Sequence, residues 1–144
     1  MKVFAVSPSA TPGYSGKPLC AKLGFATGSL VLPIAAPADY RALLGVLPDG
    51  VVFATRASAT VDLAHLFATE RAVLASKLTS LRTALRPDAA VWVSWPKKTS
   101  KVPTDITEDV IRAVALPMGW VDIKVCAVSA VWSGLKLVVR KELR

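Results

Sequence analysis

The residues with the clearest chemical potential in this sequence lie together near positions 95–105. An apolar run at 91–95 ends at Pro96, and a short basic loop follows it. The loop leads to the predicted start of a helix at Asp105, where free backbone N–H groups and the helix dipole favour a phosphate or carboxylate. A buried strand that delivers lysines to the mouth of a helix is typical of anion sites in α/β proteins. The predicted ligand-binding residues are Trp95, Lys97, Lys98, Ser100, Lys101 and Thr104.

The same loop also allows simpler interpretations. The Asp105 carboxylate could itself accept hydrogen bonds from the free N–H groups and repel an anion, which would leave a solvated loop. Trp95 at the strand end and Trp132 in the final hairpin turn could line a cleft for a planar ligand, contact another subunit, or pack over the rim of the sheet. These alternatives stay open at the level of sequence.

No residues in the sequence have the spacing of a catalytic centre. His65 has no nucleophile and no orienting acid nearby, so we expect a surface or half-buried structural histidine in a long helix. Ser94 and Ser133 lack the G-x-S-x-G context of a nucleophile elbow. We therefore predict no catalytic residues.

A glycine-rich stretch at 13–18 invites comparison with a phosphate-binding loop. The motif G-x-x-x-x-G-K-[ST] requires Gly and Ser or Thr where this chain has Thr11 and Pro18. The stretch is therefore predicted to permit turns in an N-terminal arm. Such an arm could fold over the sheet and bring Tyr14 and Lys17 toward the basic loop.

Composition limits the classes of partner. The net charge is +8, but no block of five like charges occurs, so nucleic acid is disfavoured as a partner. Cys20 and Cys126 lack C-x-x-C spacing, and with one histidine there are too few ligands for a zinc site, so no metal is predicted. The longest charge-free stretch, 23–38, is too short and too interrupted by Gly and Pro to span a membrane. We expect a soluble, cytoplasmic protein without a membrane partner.

The elements that must position the basic loop alternate between strands and helices. Strands are predicted at 29–35, 51–55 and 89–95, with two alternating strands on either side of 129–134; helices are predicted at 37–45, at 59–86, and from Asp105 to about 116. The order β-α-β-α-β-α-β-β predicts a small three-layer, Rossmann-like α/β domain with a mostly parallel sheet and a C-terminal antiparallel hairpin. This domain would cover 29–144, after an extended N-terminal arm at 1–28.

Five stretches of the sequence suggest a family. They are residues 13–19, 91–98, 104–110, 121–128 and 132–136. In these stretches the chain resembles a family of small bacterial proteins that is catalogued as a domain of unknown function. The resemblance covers nearly the whole chain and implies a single-domain bacterial protein without a known activity.

Two functions of different classes are compatible with these observations. The leading hypothesis is a non-enzymatic binding module that takes an anionic small molecule or a protein partner at the 95–105 loop, because the acid, base and nucleophile of an enzyme are missing. The alternative is an enzyme with a nucleotide- or methyl-donor-type cofactor in the same crevice. The identity of any cofactor and a homo-oligomeric state are left open.

Overall fold

The computed structural model describes residues 17–144, in which helices and strands alternate until a final pair of strands. The helices are α1 (Leu19–Leu23), α2 (Tyr40–Leu44), α3 (Arg71–Ala84) and α4 (Glu108–Ala115). The strands are β1 (Leu30–Ile34), β2 (Val52–Phe53), β3 (Leu63–Phe67), β4 (Ala90–Pro96), β5 (Trp120–Ala127) and β6 (Trp132–Val139). Short 3-10 turns lie at Lys98–Ser100, Leu116–Met118 and Lys141–Leu143.

The strands of the described chain form one sheet in the order β2-β1-β3-β4-β6-β5. The first four strands in this order are parallel, and β6 is antiparallel to both β4 and β5. This confirms the predicted Rossmann-like α/β fold with its mostly parallel sheet and C-terminal antiparallel hairpin. The chain forms β2 on one side of β1 and then crosses to the other side to form β3, so the strand order reverses between β1 and β3. Open α/β sheets bind ligands beyond the carboxyl ends of the strands at such a point.

Buried side chains form two clusters, one on each face of the sheet. The first cluster includes Leu74 of α3 and Ile111 of α4, and we call this side the α3/α4 face. The second includes Leu23 of α1 and Leu44 of α2, and we call this side the α1/α2 face. Because β3 lies between both clusters, all five of its residues are buried. The architecture is the predicted three-layer arrangement.

The prediction of one long helix over 59–86 is wrong. Residues 63–67 form the central strand β3, and the helix α3 begins only at Arg71. Leu74, Leu78 and Leu81 do form the buried stripe of α3. A strand that is buried on both faces is continuously apolar and lacks the alternation that identifies a half-buried strand. Its last residue, Phe67, fitted the helical spacing of the leucines, and this concealed the strand.

The predicted start of the third helix at Asp105 is also wrong. The helix α4 begins at Glu108, and its N-cap is Thr107, whose Oγ1 accepts a hydrogen bond from the backbone N–H of Val110 at 3.2 Å. The Asp105 Oδ1 instead accepts from the backbone N–H of Arg71 at 2.6 Å. Asp105 therefore satisfies a free donor at the start of α3, in a tertiary contact that sequence spacing does not reveal.

The N-terminal arm differs from the prediction where the structure describes it. Residues 19–23 form α1 instead of extended backbone, because Leu19, Cys20 and Leu23 are buried in the cluster on the α1/α2 face. The glycine-rich stretch up to residue 16 and Tyr14 lie outside the described residues.

The predictions about cysteines, membrane spans and metal ligands can be compared with the structure of residues 17–144. Cys20 and Cys126 are both free thiols, the first buried and the second half-buried. No helix within 17–144 has both the length and the apolar character needed to cross a bilayer. These residues also contain no group of three or more His, Cys, Asp or Glu side chains that could hold a metal ion. The cytoplasmic location stays a prediction.

Candidate functional site

A pocket with a volume of about 500 Å³ lies at the carboxyl end of β4, between this strand and the start of α4. Five of the six predicted ligand-binding residues line it, namely Trp95, Lys97, Lys98, Lys101 and Thr104. Ile106, Thr107 and Glu108 complete the wall on the α4 side. The structure thus brings the three lysines to one concavity, as the sequence indicated. That they bind a ligand stays a prediction.

The basic loop is held in shape by its own backbone and by Ser100. The Lys97 N–H donates to the carbonyl of Val131 at 2.7 Å, which fixes the loop to the β5–β6 hairpin. The Ser100 hydroxyl donates to the Lys97 carbonyl at 2.6 Å and accepts from the Val102 N–H at 3.2 Å. Ser100 is not among the residues that line the pocket. It shapes the loop, and the same turn holds Lys101 in the left-handed region at φ 60°.

Thr104 joins the loop to the turn between β3 and α3. Its hydroxyl donates to the Thr69 carbonyl at 2.6 Å and accepts from the Ile106 N–H at 3.0 Å. The hydroxyl proton of Thr104 is therefore already used within the protein. Thr104 contributes to the pocket mainly as part of its wall.

The charge of the pocket is set by the lysines, because its one carboxylate is paired. Glu108 forms an ion pair with Arg112, which also contacts Asp109 at 3.1 Å and Asp122 at 3.0 Å. Hydrogen bonds to Asp122 and Glu108 hold the pKa of the Arg112 guanidinium above its usual range. The free N–H groups predicted at Asp105 do not open into the pocket, since Asp105 itself caps α3. An anion here would depend on lysine ammonium groups and would gain nothing from a helix start at Asp105.

The two tryptophans that could have lined one cleft lie on opposite faces of the sheet. Trp95 belongs to the cluster on the α3/α4 face and forms part of the pocket wall. Trp132 packs edge-on against Phe67 on the α1/α2 face, with the ring centroids 5.1 Å apart. A planar ligand in the pocket can therefore contact Trp95 but not Trp132.

A buried polar chain on the α1/α2 face was missed by the sequence reasoning. His65, in the middle of β3, contacts the Tyr40 hydroxyl through Nδ1 at 2.8 Å and the Ser94 Oγ through Nε2 at 2.7 Å. Burial lowers the pKa of His65 to about 3 and raises that of Tyr40. The imidazole is thus neutral, and it is fully buried together with Ser94. The prediction of a surface or half-buried histidine in a helix is wrong, because His65 is fully buried in the strand β3.

The sequence did contain a signal for these buried hydrogen bonds of His65. His65 and Ser94 are single polar residues within otherwise apolar runs, and polar groups inside buried strands need hydrogen-bond partners. Both lie on strands that the fold makes neighbours, which is where a partner would be sought. The group is closed to solvent, so it cannot contact a substrate.

The switch point between β1 and β3 has one unusual backbone conformation. Ala35, the residue after β1, has φ 57°, in the left-handed region that glycine usually occupies. Ala36 and Pro37 follow it, and Ala54, Thr55 and Arg56 follow β2. No carboxylate therefore stands directly after β2, where dinucleotide-binding folds place one for the ribose hydroxyls.

Several solved structures have a fold similar to that of this protein, at low sequence identity. A Sulfolobus solfataricus protein, provisionally assigned as a type 11 methyltransferase, aligns with a TM-score of 0.56 and 12% identity over 80% of this chain and 85% of its own. The PH0226 protein from Pyrococcus horikoshii OT3 aligns with a TM-score of 0.52 and 8% identity over 79% of this chain and 82% of its own. At these identities the similarity shows the Rossmann-like fold.

Comparisons of the sequence with family models and with curated proteins both give no match. The resemblance to small bacterial proteins therefore stays a prediction. The leading hypothesis of a non-enzymatic binding module is corrected by the structural comparison, because a protein provisionally assigned as a methyltransferase has a similar fold. This likeness shows the fold alone at 12% identity, and it agrees better with the alternative hypothesis than with the leading one.

Proposed function

We propose that this protein is an enzyme that binds a methyl donor of the class of S-adenosylmethionine in the pocket at the carboxyl end of β4. The observation that carries the proposal is a pocket of about 500 Å³ at this edge of the sheet, in a fold similar to that of a protein provisionally assigned as a type 11 methyltransferase. This volume falls within the range of about 300–1,000 Å³ that small-molecule sites usually have. The carboxyl edge is also where open α/β sheets bind ligands.

The residues of the pocket fit several groups of such a donor. The indole of Trp95 offers an aromatic surface for an adenine ring. The ammonium groups of Lys97 and Lys98 suit the carboxylate of the amino-acid part, and Thr107 and Glu108 offer oxygen acceptors for ribose hydroxyls. When bound, the donor would supply an electrophilic methyl carbon on a sulfonium centre.

The switch point between β1 and β3 lies outside the proposed donor pocket, because none of the pocket-lining residues belongs to either strand. The left-handed backbone at Ala35 therefore does not bear on this pocket. The missing carboxylate after β2 means that ribose hydroxyls need an acceptor elsewhere, and Glu108 is the carboxylate in the pocket wall. This difference makes Glu108 a specific test residue of the proposal.

The experiment is a calorimetric titration with S-adenosylhomocysteine, which lacks the sulfonium charge and cannot react. We expect one-to-one binding that weakens about tenfold in a Lys97→Ala/Lys98→Ala variant, since hydrogen bonds to charged groups contribute about 1.5–3 kcal/mol. Lys77→Ala is the matched control, because Lys77 is exposed on α3 and away from the pocket. Absence of saturable binding, or equal affinity in all variants, would contradict the proposal.

A second variant tests the role of the carboxylate. Glu108→Gln keeps the shape of the side chain but removes the charge that Arg112 neutralises. We expect weaker binding of S-adenosylhomocysteine and a smaller loss for adenine alone, which has no ribose. An equal loss for both ligands would place the effect outside ribose recognition.

A further inference from the structure

Two lysines lie directly opposite each other on the neighbouring antiparallel strands β5 and β6. The register pairs Lys124 with Lys136, and Lys136 is in turn opposite Trp92 of β4, on the α1/α2 face. Directly opposed side chains in antiparallel strands are about 4.5–5.5 Å apart at Cβ, and like charges in this position destabilise the pair. The arrangement therefore works against folding unless something compensates for it.

A β-bulge creates this pairing. The register shifts between Asp122 and Lys124, so that Asp122 is opposite Leu137 and Lys124 is opposite Lys136. Without the shift, Ile123 would stand opposite Lys136, and Lys124 would point to the other face. Bulges re-aim side chains and are enriched at sheet edges and near functional sites. Here the bulge turns an additional cation toward the α1/α2 face.

Further contacts gather positive charge at the same place. The Nζ of Lys124 donates to the carbonyl of Lys22 at 3.2 Å, near the end of α1. The Nζ of Lys136 lies 3.5 Å from the position that a Cβ on Gly24 would take, so it sits against the turn that ends α1. Burial and the charge of Lys124 lower the pKa of Lys136. The side chain is half-buried and has only partial access to water.

No carboxylate compensates for these charges in the described chain. Neither Lys124 nor Lys136 forms an ion pair with any of residues 17–144. The segment before residue 17 cannot supply one, because the first acidic residue of the sequence is Asp39. An anion that paired with these two ammonium groups would therefore be a bound ligand and not a carboxylate of the described ion pairs.

We propose that Lys124 and Lys136 form a binding site for a phosphate group, carried by inorganic phosphate or by a small phosphate monoester. A phosphate has enough acceptor oxygens to take a hydrogen bond from each ammonium group, and hydrogen bonds between two charged groups are the stronger kind. The site is on the α1/α2 face, whereas the pocket beside Trp95 is on the opposite face. It is therefore independent of the proposed methyl-donor function.

The test is a phosphate titration followed by thermal unfolding, at constant ionic strength set with chloride. We expect phosphate to raise the Tm of the unmodified protein, and Lys136→Met to reduce the apparent phosphate affinity about tenfold or more. Lys136→Met should also be at least as stable as the unmodified protein in chloride alone, because it relieves the repulsion of Lys124. A merely structural lysine would not combine these two results.

Three controls separate this site from other cations. Lys77→Met on α3 and Lys141→Met in the last 3-10 turn remove the same charge elsewhere, and both should keep the phosphate effect. Lys124→Met, at an exposed position, should lose it as Lys136→Met does. The titration is repeated with ribose 5-phosphate. If ribose 5-phosphate binds more tightly than inorganic phosphate, the site is for a monoester; if it binds more weakly, the site is for inorganic phosphate. An equal rise in Tm for all variants would overturn the proposal.

Discussion

The Nε2 atom of His65 lies 2.7 Å from the Oγ atom of Ser94, and this contact joins the interiors of two adjacent parallel strands. The other ring nitrogen contacts the Tyr40 hydroxyl at 2.8 Å, so one neutral imidazole connects β3, β4 and α2. His65 also stacks on Phe67, with the ring centroids 4.3 Å apart. Since both histidine nitrogens are paired, the group can be buried without an unsatisfied polar atom.

Removal of the Ser94 hydroxyl tests how much the buried contacts of His65 contribute to stability. Ser94→Ala leaves the Nε2 of His65 buried without a partner, which should lower the free energy of unfolding by about 1–3 kcal/mol. Urea denaturation measures the change. Ser76→Ala, on the exposed surface of α3, is the control and should change stability by less than about 0.5 kcal/mol. Equal effects of the two substitutions would show that the contact between His65 and Ser94 contributes little to the free energy of unfolding.

The buried imidazole also predicts a pH dependence. The pKa of His65 is about 3 in the folded protein and about 6.5 when exposed, so between these values the unfolded chain binds a proton that the folded protein does not. The free energy of unfolding should therefore fall as the pH falls through this window, by about 1.4 kcal/mol per pH unit from this group. Urea denaturation from pH 7 to pH 4 measures the slope.

The control for this slope is a variant without the titrating group. His65→Gln should be less stable at pH 7, because glutamine cannot reproduce both contacts, but its stability should vary less with pH over the same range. The pKa of Asp62 is lowered by the Leu30 N–H and by Arg86. Asp62 therefore also lowers the free energy of unfolding as the pH falls, and it does so in both proteins. Parallel pH profiles of the two proteins would rule out His65 as the source.

The sequence predicts those parts of the fold that local patterns determine. Alternation predicts the C-terminal hairpin, because β5 and β6 have wetter sides. The basic pocket was also predictable, since Lys97 and Lys98 directly follow a buried strand and must lie at its carboxyl end. The strand β3 could not be predicted, because burial on both faces removes the alternation that would distinguish it from a helix.

Contacts between distant residues limited the prediction of the site itself. Asp105 has the spacing of a capping residue for the following helix, but it binds a backbone N–H that is 34 positions earlier in the chain. The bulge that turns Lys124 toward Lys136 depends on how two strands pair, which residue types alone do not reveal. In both cases a tertiary contact decided between arrangements that the local sequence allows equally.

The backbone after β1 gives a further prediction. Ala35 has φ 57°, and an L-residue in this region costs about 1–2 kcal/mol, whereas glycine costs about 0.5–1 kcal/mol in additional unfolded-state entropy. Ala35→Gly should therefore raise the free energy of unfolding by about 0.5–1 kcal/mol, measured by urea denaturation. Ala72→Gly, on the exposed side of the first turn of α3, should lower it by up to about 1 kcal/mol. The opposite signs distinguish local strain from a general effect of glycine.

The reassigned helix starts can be separated by hydrogen exchange of backbone amides. Thr107→Ala removes the acceptor of the Val110 N–H, so exchange should become faster in the first turn of α4 while α3 is unchanged. Asp105→Ala removes the acceptor of the Arg71 N–H and should accelerate exchange in the first turn of α3. Each loss should also lower the free energy of unfolding by about 1 kcal/mol. If Asp105→Ala instead accelerated exchange at the start of α4, the capping arrangement that the sequence spacing indicates would be correct, and the contact between Asp105 and Arg71 would not form in solution.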